Sequence, residues 1–170
     1  MRVTRGVENE HAQVAPAEPF WRRKSLLEMT PGEWESLCDG CGRCCLNKLE
    51  DEDTGMIALT RVACRLLDGE TCRCLNYANR QSLVPECIQL TPALAEELPW
   101  LPPSCAYRRL AEGRDLPEWH PLVTGDPLSV HAAGLGVRGW TVSEADVPVE
   151  AWEDHIIDWE AIDPEMGLRE

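Results

Sequence analysis

The sequence has few basic residues, no long hydrophobic run and a single phenylalanine. Its 16 Lys and Arg stand against 30 Asp and Glu, which gives a net charge of −14. Binding to a phosphate backbone needs basic patches, so nucleic acid is not expected as a direct partner. No stretch resembles a membrane span, and the N-terminal residues lack the apolar core of a secretory signal. We therefore expect a cytoplasmic protein with no membrane partner.

Familiar catalytic motifs are also missing. The sequence contains no P-loop, no HExxH motif and no Ser–His–Asp order. A G-x-G-x-x-G pattern at residues 134–139 follows a polar segment, whereas a dinucleotide site needs a preceding hydrophobic strand. His120 and His131 are either metal ligands or proton carriers, or they stabilise the loop between them. The sequence alone leaves open whether the protein is an enzyme.

Cysteine is the residue that the sequence has in excess. Four cysteines form one knot, Cys38-Asp-Gly-Cys41-Gly-Arg-Cys44-Cys45, and the other five follow at Cys64, Cys72, Cys74, Cys87 and Cys105. Thiolates this dense on glycine-rich loops are typical of metal sites. A disulfide framework fits poorly with an odd number of cysteines in a reducing compartment. We take all nine cysteines as candidate metal ligands.

The spacing within the knot suits more than one kind of metal group. Cys38, Cys41 and Cys44 could hold three corners of a 4Fe-4S cluster or supply three ligands to zinc. Neighbouring side chains diverge, so Cys45 is expected to serve a second metal, bridge two metals or stay free. Eight thiolates would fill two four-sulfur sites. The interleaved arginines could balance the thiolate charge: Arg43, Arg65 and Arg73.

Helix-cap, turn and strand signals, together with the cysteines, predict a small metal-stabilised α+β domain. It should consist mostly of short helices and loops with a small β-hairpin. Helix starts, strand and turn signals stand at Thr30–Glu33 (a capping box), Met56–Val62 (a strand), Asp68–Gly69 (a hairpin turn), Leu75–Ser82, Thr91–Leu98 and Cys105–Glu112 (helices). The predicted parts are a flexible N-terminal arm over residues 1–19, a cysteine-rich metal-binding domain over 20–147, and an acidic amphipathic helix and tail over 148–170.

The C-terminal part carries most of the negative charge. Residues 141–170 hold ten acids and one basic residue, Arg169. Val149, Trp152, Ile156 and Trp159 recur at helical spacing and predict one apolar stripe. We expect this stripe to pack back on the domain, with docking of a protein partner as the alternative.

A family resemblance extends the interpretation of the cysteines. The run from Trp34 to Asp51, with its CxxCxxCC knot, resembles the bacterial CxxCxxCC family, described as zinc- or iron-chelating proteins. Segments around Cys64, Cys72 and Cys105, and the run 119–127, are similar to its YcgN-type subgroup over about residues 20–160. The resemblance implies metal chelation. Flagellin lysine N-methylases share the cysteine-rich domain, but this chain lacks their extra length, so methyl transfer is not implied.

Three functions therefore remain. The first is a metal-binding protein with a thiolate centre of zinc or iron in a structural or chelating role. The second is an iron–sulfur protein with redox or catalytic activity. The third is an interaction module whose surface is shaped by metal.

Overall fold

The computed structural model describes residues 17–158 and residue 163. Most of the predicted N-terminal arm lies outside this range, as do Trp159 and most of the predicted tail. The described residues form short helices and a small sheet, which confirms the predicted α+β class. Among them, no helix has the length and apolar character that crossing a membrane requires.

The α-helices are four to six residues long and are connected by turns and loops. They are α1 Phe20–Arg23, α2 Pro31–Ser36, α3 Arg80–Leu83, α4 Pro92–Glu97, α5 Ala106–Ala111, α6 Pro121–Thr124 and α7 Ser129–Ala132. Turns of 3₁₀-helix lie at Leu26–Glu28, Arg43–Cys45, Tyr77–Asn79 and Val149–His155.

The sheet is centred on one strand. The strands are β1 Leu46–Glu50, β2 Ile57–Ala63, β3 Val142–Ser143 and β4 Ile156–Ile157. Strand β1 pairs antiparallel with β2, with an irregularity between Leu46 and Lys48. Short β3 pairs in parallel with the end of β2, and β4 pairs antiparallel with its middle. The sheet therefore gathers the C-terminal part of the chain onto β2.

Two small hydrophobic cores support these elements. The helical core consists of Leu37, Ala95, Ala106, Tyr107 and Leu116. The sheet core consists of Leu46, Leu59, Ala63, Cys72 and Val137. Each is small for a chain of this length, so the contact between them matters for the stability of the whole domain.

Most predicted local elements are confirmed. Thr30 Oγ1 accepts from Glu33 N at 3.3 Å, and the Glu33 carboxylate accepts from Thr30 N at 2.8 Å, which completes the capping box of α2. Thr91 Oγ1 also caps α4 by accepting from Leu94 N, without a reciprocal bond. The predicted hairpin after Cys64 is reduced to one antiparallel bridge between Leu67 and Cys74. The predicted helix over residues 75–82 is split into a 3₁₀-turn and α3.

The C-terminal helix is shorter than predicted. The chain forms a 3₁₀-helix over Val149–His155 and then enters β4, because the β-branched pair Ile156–Ile157 joins the edge of β2. Val149 is 65% exposed and Ile156 is 50% exposed, so these two members of the apolar stripe do not pack into the core. Trp152 is half-buried, and its indole donates to the carbonyl of Val147.

Candidate metal centre

The cysteine knot begins where α2 ends. Leu37 is fully buried and fixes the chain at the end of that helix, so Cys38 starts the loop next to the helical core. Gly40 and Gly42 both have φ of +78°, a left-handed conformation that a residue with a Cβ adopts at a cost. The buried Asp39 carboxylate accepts from the backbone N–H of Cys41 at 2.9 Å. These turns fold the loop tightly enough to place its cysteines together.

One cavity of about 150 Å³ gathers eight of the nine cysteines. They come from five separate stretches of the chain: Cys38, Cys41, Cys44 and Cys45 from the knot, then Cys64, Cys74, Cys87 and Cys105. Apolar side chains complete the walls, including Trp34, Leu37, Leu67, Leu101 and Tyr107. All nine cysteines are free thiols without disulfide bonds.

Cys72 is the cysteine that stands apart. It is 4% exposed and belongs to the sheet core, where it lies beside Gly42 and Val137. Its φ is +55°, so the chain turns sharply at this residue. The sharp turn separates Cys72 from Cys74, which lines the cavity. Cys72 therefore has the surroundings of a small hydrophobic residue rather than of a ligand.

The spacing of the sulfurs decides what the cavity can hold. The adjacent Cys44 and Cys45 have their Sγ atoms 4.0 Å apart. Within residues 17–158 and 163, no three His, Cys, Asp or Glu side chains stand close enough together to hold one metal ion. A cavity of about 150 Å³ takes a benzene molecule in another protein, so several atoms fit here.

The electrostatic environment raises the pKa of several of the metal-free thiols. Cys38 and Cys44 have exposed surface, yet the surrounding walls of the cavity desolvate their thiols. This desolvation, then the charge of Asp39, raises the pKa of Cys38 to about 12 and moves the pKa of Cys41 well above its usual value. Contact with Cys45, together with burial, raises the pKa of Cys44. Burial also raises the pKa of Cys105. A metal cation would supply the positive charge that these sites lack, and its binding would release the protons.

Comparison with known proteins identifies the family. Residues 37–106, which include all nine cysteines, match the CxxCxxCC family, whose description reads "Putative zinc- or iron-chelating domain". A UPF0260 protein of Sinorhizobium fredii is 64% identical over 150 residues, which cover 88% of this chain and 95% of that protein. The chain belongs to the UPF0260 family.

Other members of the UPF0260 family are similarly close. The protein of Rhizobium meliloti is 62% identical over 141 residues, or 83% of this chain and 91% of its own. The protein of Azotobacter vinelandii is 62% identical over 143 residues, or 84% and 96%. No solved structure matches this chain. The family description supports binding of zinc or iron.

Two of the three arginines interleaved with the cysteines form ion pairs with carboxylates. Arg43 is buried and forms an ion pair with Asp163, at 2.7 Å between Nη1 and Oδ2. Arg65 pairs with Glu144 at 3.2 Å and also contacts the carbonyl of Leu83. Both guanidinium groups are therefore paired with carboxylates. The positive charge of Arg43 still opposes the effect of burial on the pKa of Cys41.

Arg73 and Arg80 lie near the thiols. The guanidinium of Arg73 covers Gly40, where an added Cβ would lie 2.9 Å from it. Its charge opposes the effect of burial on the pKa of Cys38. Within the described part of the chain, Arg80 is the arginine that lines the cavity. The sequence did not mark Arg80 because it lies in a stretch without the knuckle spacing.

Further polar groups at the cavity were also missed by sequence analysis. The hydroxyl of Tyr77 donates to the Glu35 carboxylate at 2.6 Å, and both residues line the cavity. Arg80 stacks over the Tyr77 ring at 3.8 Å. Lys48 lies beside the knot, where its ammonium donates to the carbonyl of Cys44 at 3.1 Å. These groups come together only through tertiary contacts, so no local pattern indicates them.

The two histidines stabilise loops rather than line the cavity. Nδ1 of His120 accepts from Leu122 N at 3.1 Å, so the ring proton lies on Nε2 and is donated to the carbonyl of Leu37 at 3.0 Å. His131 packs on Gly136, where an added Cβ would lie 2.1 Å from its Nδ1. The middle glycine of the G-x-G-x-x-G pattern is therefore needed for close packing against His131.

Proposed function

We propose that this protein binds a polynuclear group of zinc or iron through cysteine thiolates that line the cavity, in a structural or chelating role. The observation that carries the proposal is the meeting of eight cysteines from five stretches of chain around one cavity. Buried cysteines that only fill space have no reason to converge, and Cys72 shows what such a cysteine looks like. The family description supports zinc or iron.

The adjacent pair of cysteines indicates more than one metal atom. Zinc–sulfur bonds are about 2.3 Å long, and neighbouring side chains diverge from the backbone, so Cys44 and Cys45 do not comfortably share one ion. Their sulfurs nevertheless lie 4.0 Å apart, close enough for two neighbouring metal atoms. We infer that Cys44 and Cys45 belong to different halves of the centre.

The backbone supports a division of the thiols into two sets. Cys45 is joined to Cys64 by a hydrogen bond from Cys64 N to Cys45 O at 2.8 Å, which places Cys45 on the side of Cys64. Cys105 precedes α5 and packs against the helical core, as does Leu37 just before Cys38. We propose one set of Cys38, Cys41, Cys44 and Cys105, and a second of Cys45, Cys64, Cys74 and Cys87.

The structural role follows from the position of the cavity between small cores. Metal binding contributes on the order of 10–16 kcal/mol in small zinc domains, whereas whole domains are stable by about 5–15 kcal/mol. A metal group that ties five stretches of chain together would therefore decide whether the domain is folded. Reduced thiols in such a centre fit a cytoplasmic location.

A second candidate is an iron–sulfur protein with redox or catalytic activity. The observation that favours it is the character of the cavity, which combines apolar walls with the polar groups of Glu35, Tyr77 and Arg80. Small-molecule sites have this composition. The potential of an iron–sulfur cluster depends on nearby charge and hydrogen bonds, which these groups supply.

Anaerobic purification followed by metal and acid-labile sulfide analysis tests both candidates. Zinc without sulfide supports the structural or chelating role, whereas iron with equal sulfide and a brown colour supports the iron–sulfur alternative. With either metal, the proposal requires that more than one metal atom is bound per chain. A single metal atom in fully reduced, metal-replete protein would contradict the proposal, and so would protein that retains no metal.

A further inference from the structure

The buried carboxylate of Asp163 contacts two residues that neighbour cysteines of the thiol cavity in sequence. Asp163 is completely buried, and its Oδ2 accepts two hydrogen bonds, from Arg43 Nη1 at 2.7 Å and from Ser104 Oγ at 2.7 Å. The side chain of Arg43 is 1% exposed, and Ser104 is 4% exposed. A charge-assisted pair in this environment is short and well directed. One oxygen atom therefore joins two distant segments of the chain.

Both of these segments carry cysteines of the cavity. Arg43 lies between Cys41 and Cys44 and begins the 3₁₀-turn Arg43–Cys45. Ser104 immediately precedes Cys105, which stands at the start of α5. The two donors are 61 residues apart (104 − 43), so local structure does not hold them together. The contact with Asp163 fixes the distance between the wall that bears Cys44 and the wall that bears Cys105.

We propose that Asp163 is a positioning residue for the thiolate centre, which holds Cys44 and Cys105 in place through Arg43 and Ser104. This inference rests on the proposed function and goes beyond it, because Asp163 lies outside the matched family domain of residues 37–106. Buried ion pairs add little net stability compared with apolar packing, so a purely stabilising role explains the pair poorly. Groups that hydrogen-bond to metal ligands are worth about 10–100-fold in metal affinity, and Asp163 acts one step further out, through Arg43 and Ser104.

The first experiment compares two substitutions that each remove one negative charge. Asp163→Asn keeps the size of the side chain, and the matched control Asp154→Asn changes an exposed acid of the same acidic region. Zinc-loaded proteins are mixed with a coloured chelator, and the rate of zinc release is measured. We expect release from Asp163→Asn to be at least roughly tenfold faster than from wild type, and release from Asp154→Asn to be unchanged. Equal rates for Asp163→Asn and wild type would overturn the proposal.

A spectroscopic measurement separates positioning from general stabilisation. In cobalt-substituted protein, the visible bands report the arrangement of sulfur around the metal. A shift of these bands in folded Asp163→Asn supports positioning. Bands identical to those of wild type, in a protein with only a lower melting temperature, assign Asp163 a purely stabilising role and contradict the proposal.

Two further arms cover the remaining outcomes. If Asp163→Asn does not fold, Ser104→Ala, which keeps the ion pair, decides the question: faster zinc release supports the proposal, and the wild-type rate overturns it. If wild type retains neither zinc nor iron, the proposed function fails, but the wall geometry is still testable without metal. Mass spectrometry would then show faster alkylation of Cys44 and Cys105 in Asp163→Asn, and equal alkylation would overturn the inference.

Discussion

The helical core and the sheet core differ in how they meet the thiol cavity. The helical core supplies large side chains to its walls, Leu37 and Tyr107, with Trp34 packed beside them. The sheet core contacts Leu67 and the knot glycine Gly42, and both of these residues line the cavity. The two cores share no residue among those that the structure describes. Side chains packed in both cores line the one cavity that carries eight cysteines.

The same contrast appears within two residues of sequence. Cys72 packs in the sheet core, whereas Cys74 lines the cavity. The two cysteines have the same side chain and nearly the same position, yet only one is placed with the other seven. Substitutions at cysteines of the two kinds should therefore have very different effects, which gives the strongest test of the comparison.

The largest effect is expected for Cys41→Ser. If the metal group joins the two cores, removing one ligand should release the metal and unfold the domain, because the lost binding energy is on the order of 10 kcal/mol, comparable to the total stability. Circular dichroism and metal analysis of the purified variant measure both losses. Cys41→Ser protein that has lost its metal but melts within a few degrees of wild type would show that the two cores hold together without it.

Cys72→Ser is the matched control for that experiment. The substitution places a hydroxyl without a designed partner in the sheet core, which costs roughly 1–3 kcal/mol. The metal content should remain that of wild type, because Cys72 does not line the cavity. Loss of metal from folded Cys72→Ser protein would place Cys72 among the ligands and would blur the distinction between the two kinds of cysteine.

An intermediate effect is expected at Gly42, where the knot touches the sheet core. An added Cβ would lie 2.7 Å from Val137 Cγ2, and the backbone φ is +78°. Gly42→Ala therefore combines a left-handed backbone penalty of about 1–2 kcal/mol with overpacking of about 1–3 kcal/mol. Urea denaturation of the metal-replete protein measures the sum.

Gly113→Ala separates the two contributions. Gly113 has a φ of +72°, but an added Cβ would meet nothing within 4 Å. Gly113→Ala should therefore lose stability only through the left-handed backbone penalty, about 1–2 kcal/mol. If both alanine variants are destabilised equally, the contact between Gly42 and Val137 does not constrain the junction of knot and sheet core.

Local features of this fold could be predicted from the sequence, whereas the contacts around the cavity could not. The capping box of Thr30 and Glu33 depends on residues three apart, so the pattern alone indicates it. The ion pair of Arg43 and Asp163 joins residues 120 apart, and nothing in the local sequence distinguishes Asp163 from the nine other acids of residues 141–170. The separation of Cys72 from Cys74 depends on a single left-handed residue in a tertiary environment.

The C-terminal region shows a second limit of sequence patterns. The spacing of Val149, Trp152 and Ile156 fits an amphipathic helix, and a 3₁₀-helix does form over Val149–His155. Pairing with β2 then takes Ile156 and Ile157 into the sheet. Helical periodicity could not show this outcome, because the competing interaction is pairing with the central strand β2, which lies about 100 residues earlier in the chain.

The smallest predicted effect concerns Glu33, in the first turn of α2, the helix that precedes the knot. The ion pair with Lys24, followed by the hydrogen bond from the backbone N–H of Thr30, lowers the pKa of Glu33 from its usual 4.5 to about 2. A carboxyl whose pKa is depressed in the folded state stabilises the fold above its unfolded pKa, and this contribution is lost as the pH falls. For Glu33 the window runs from about pH 4.5 down to about pH 2.

Glu33→Gln should remove the part of the pH dependence of stability that comes from Glu33, and should leave the contributions of other groups unchanged. The difference in melting temperature between wild type and Glu33→Gln should therefore be largest near neutral pH and shrink steadily below pH 4.5. Because the metal centre also responds to acid, each variant is compared with wild type at the same pH and metal content. Glu50→Gln, at an exposed carboxylate on β1, is the matched control for the loss of one negative charge. A difference for Glu33→Gln that stays constant with pH would mean that the Lys24 and Thr30 contacts do not stabilise the ionised carboxylate, and that the start of α2 is held by packing on the helical core instead.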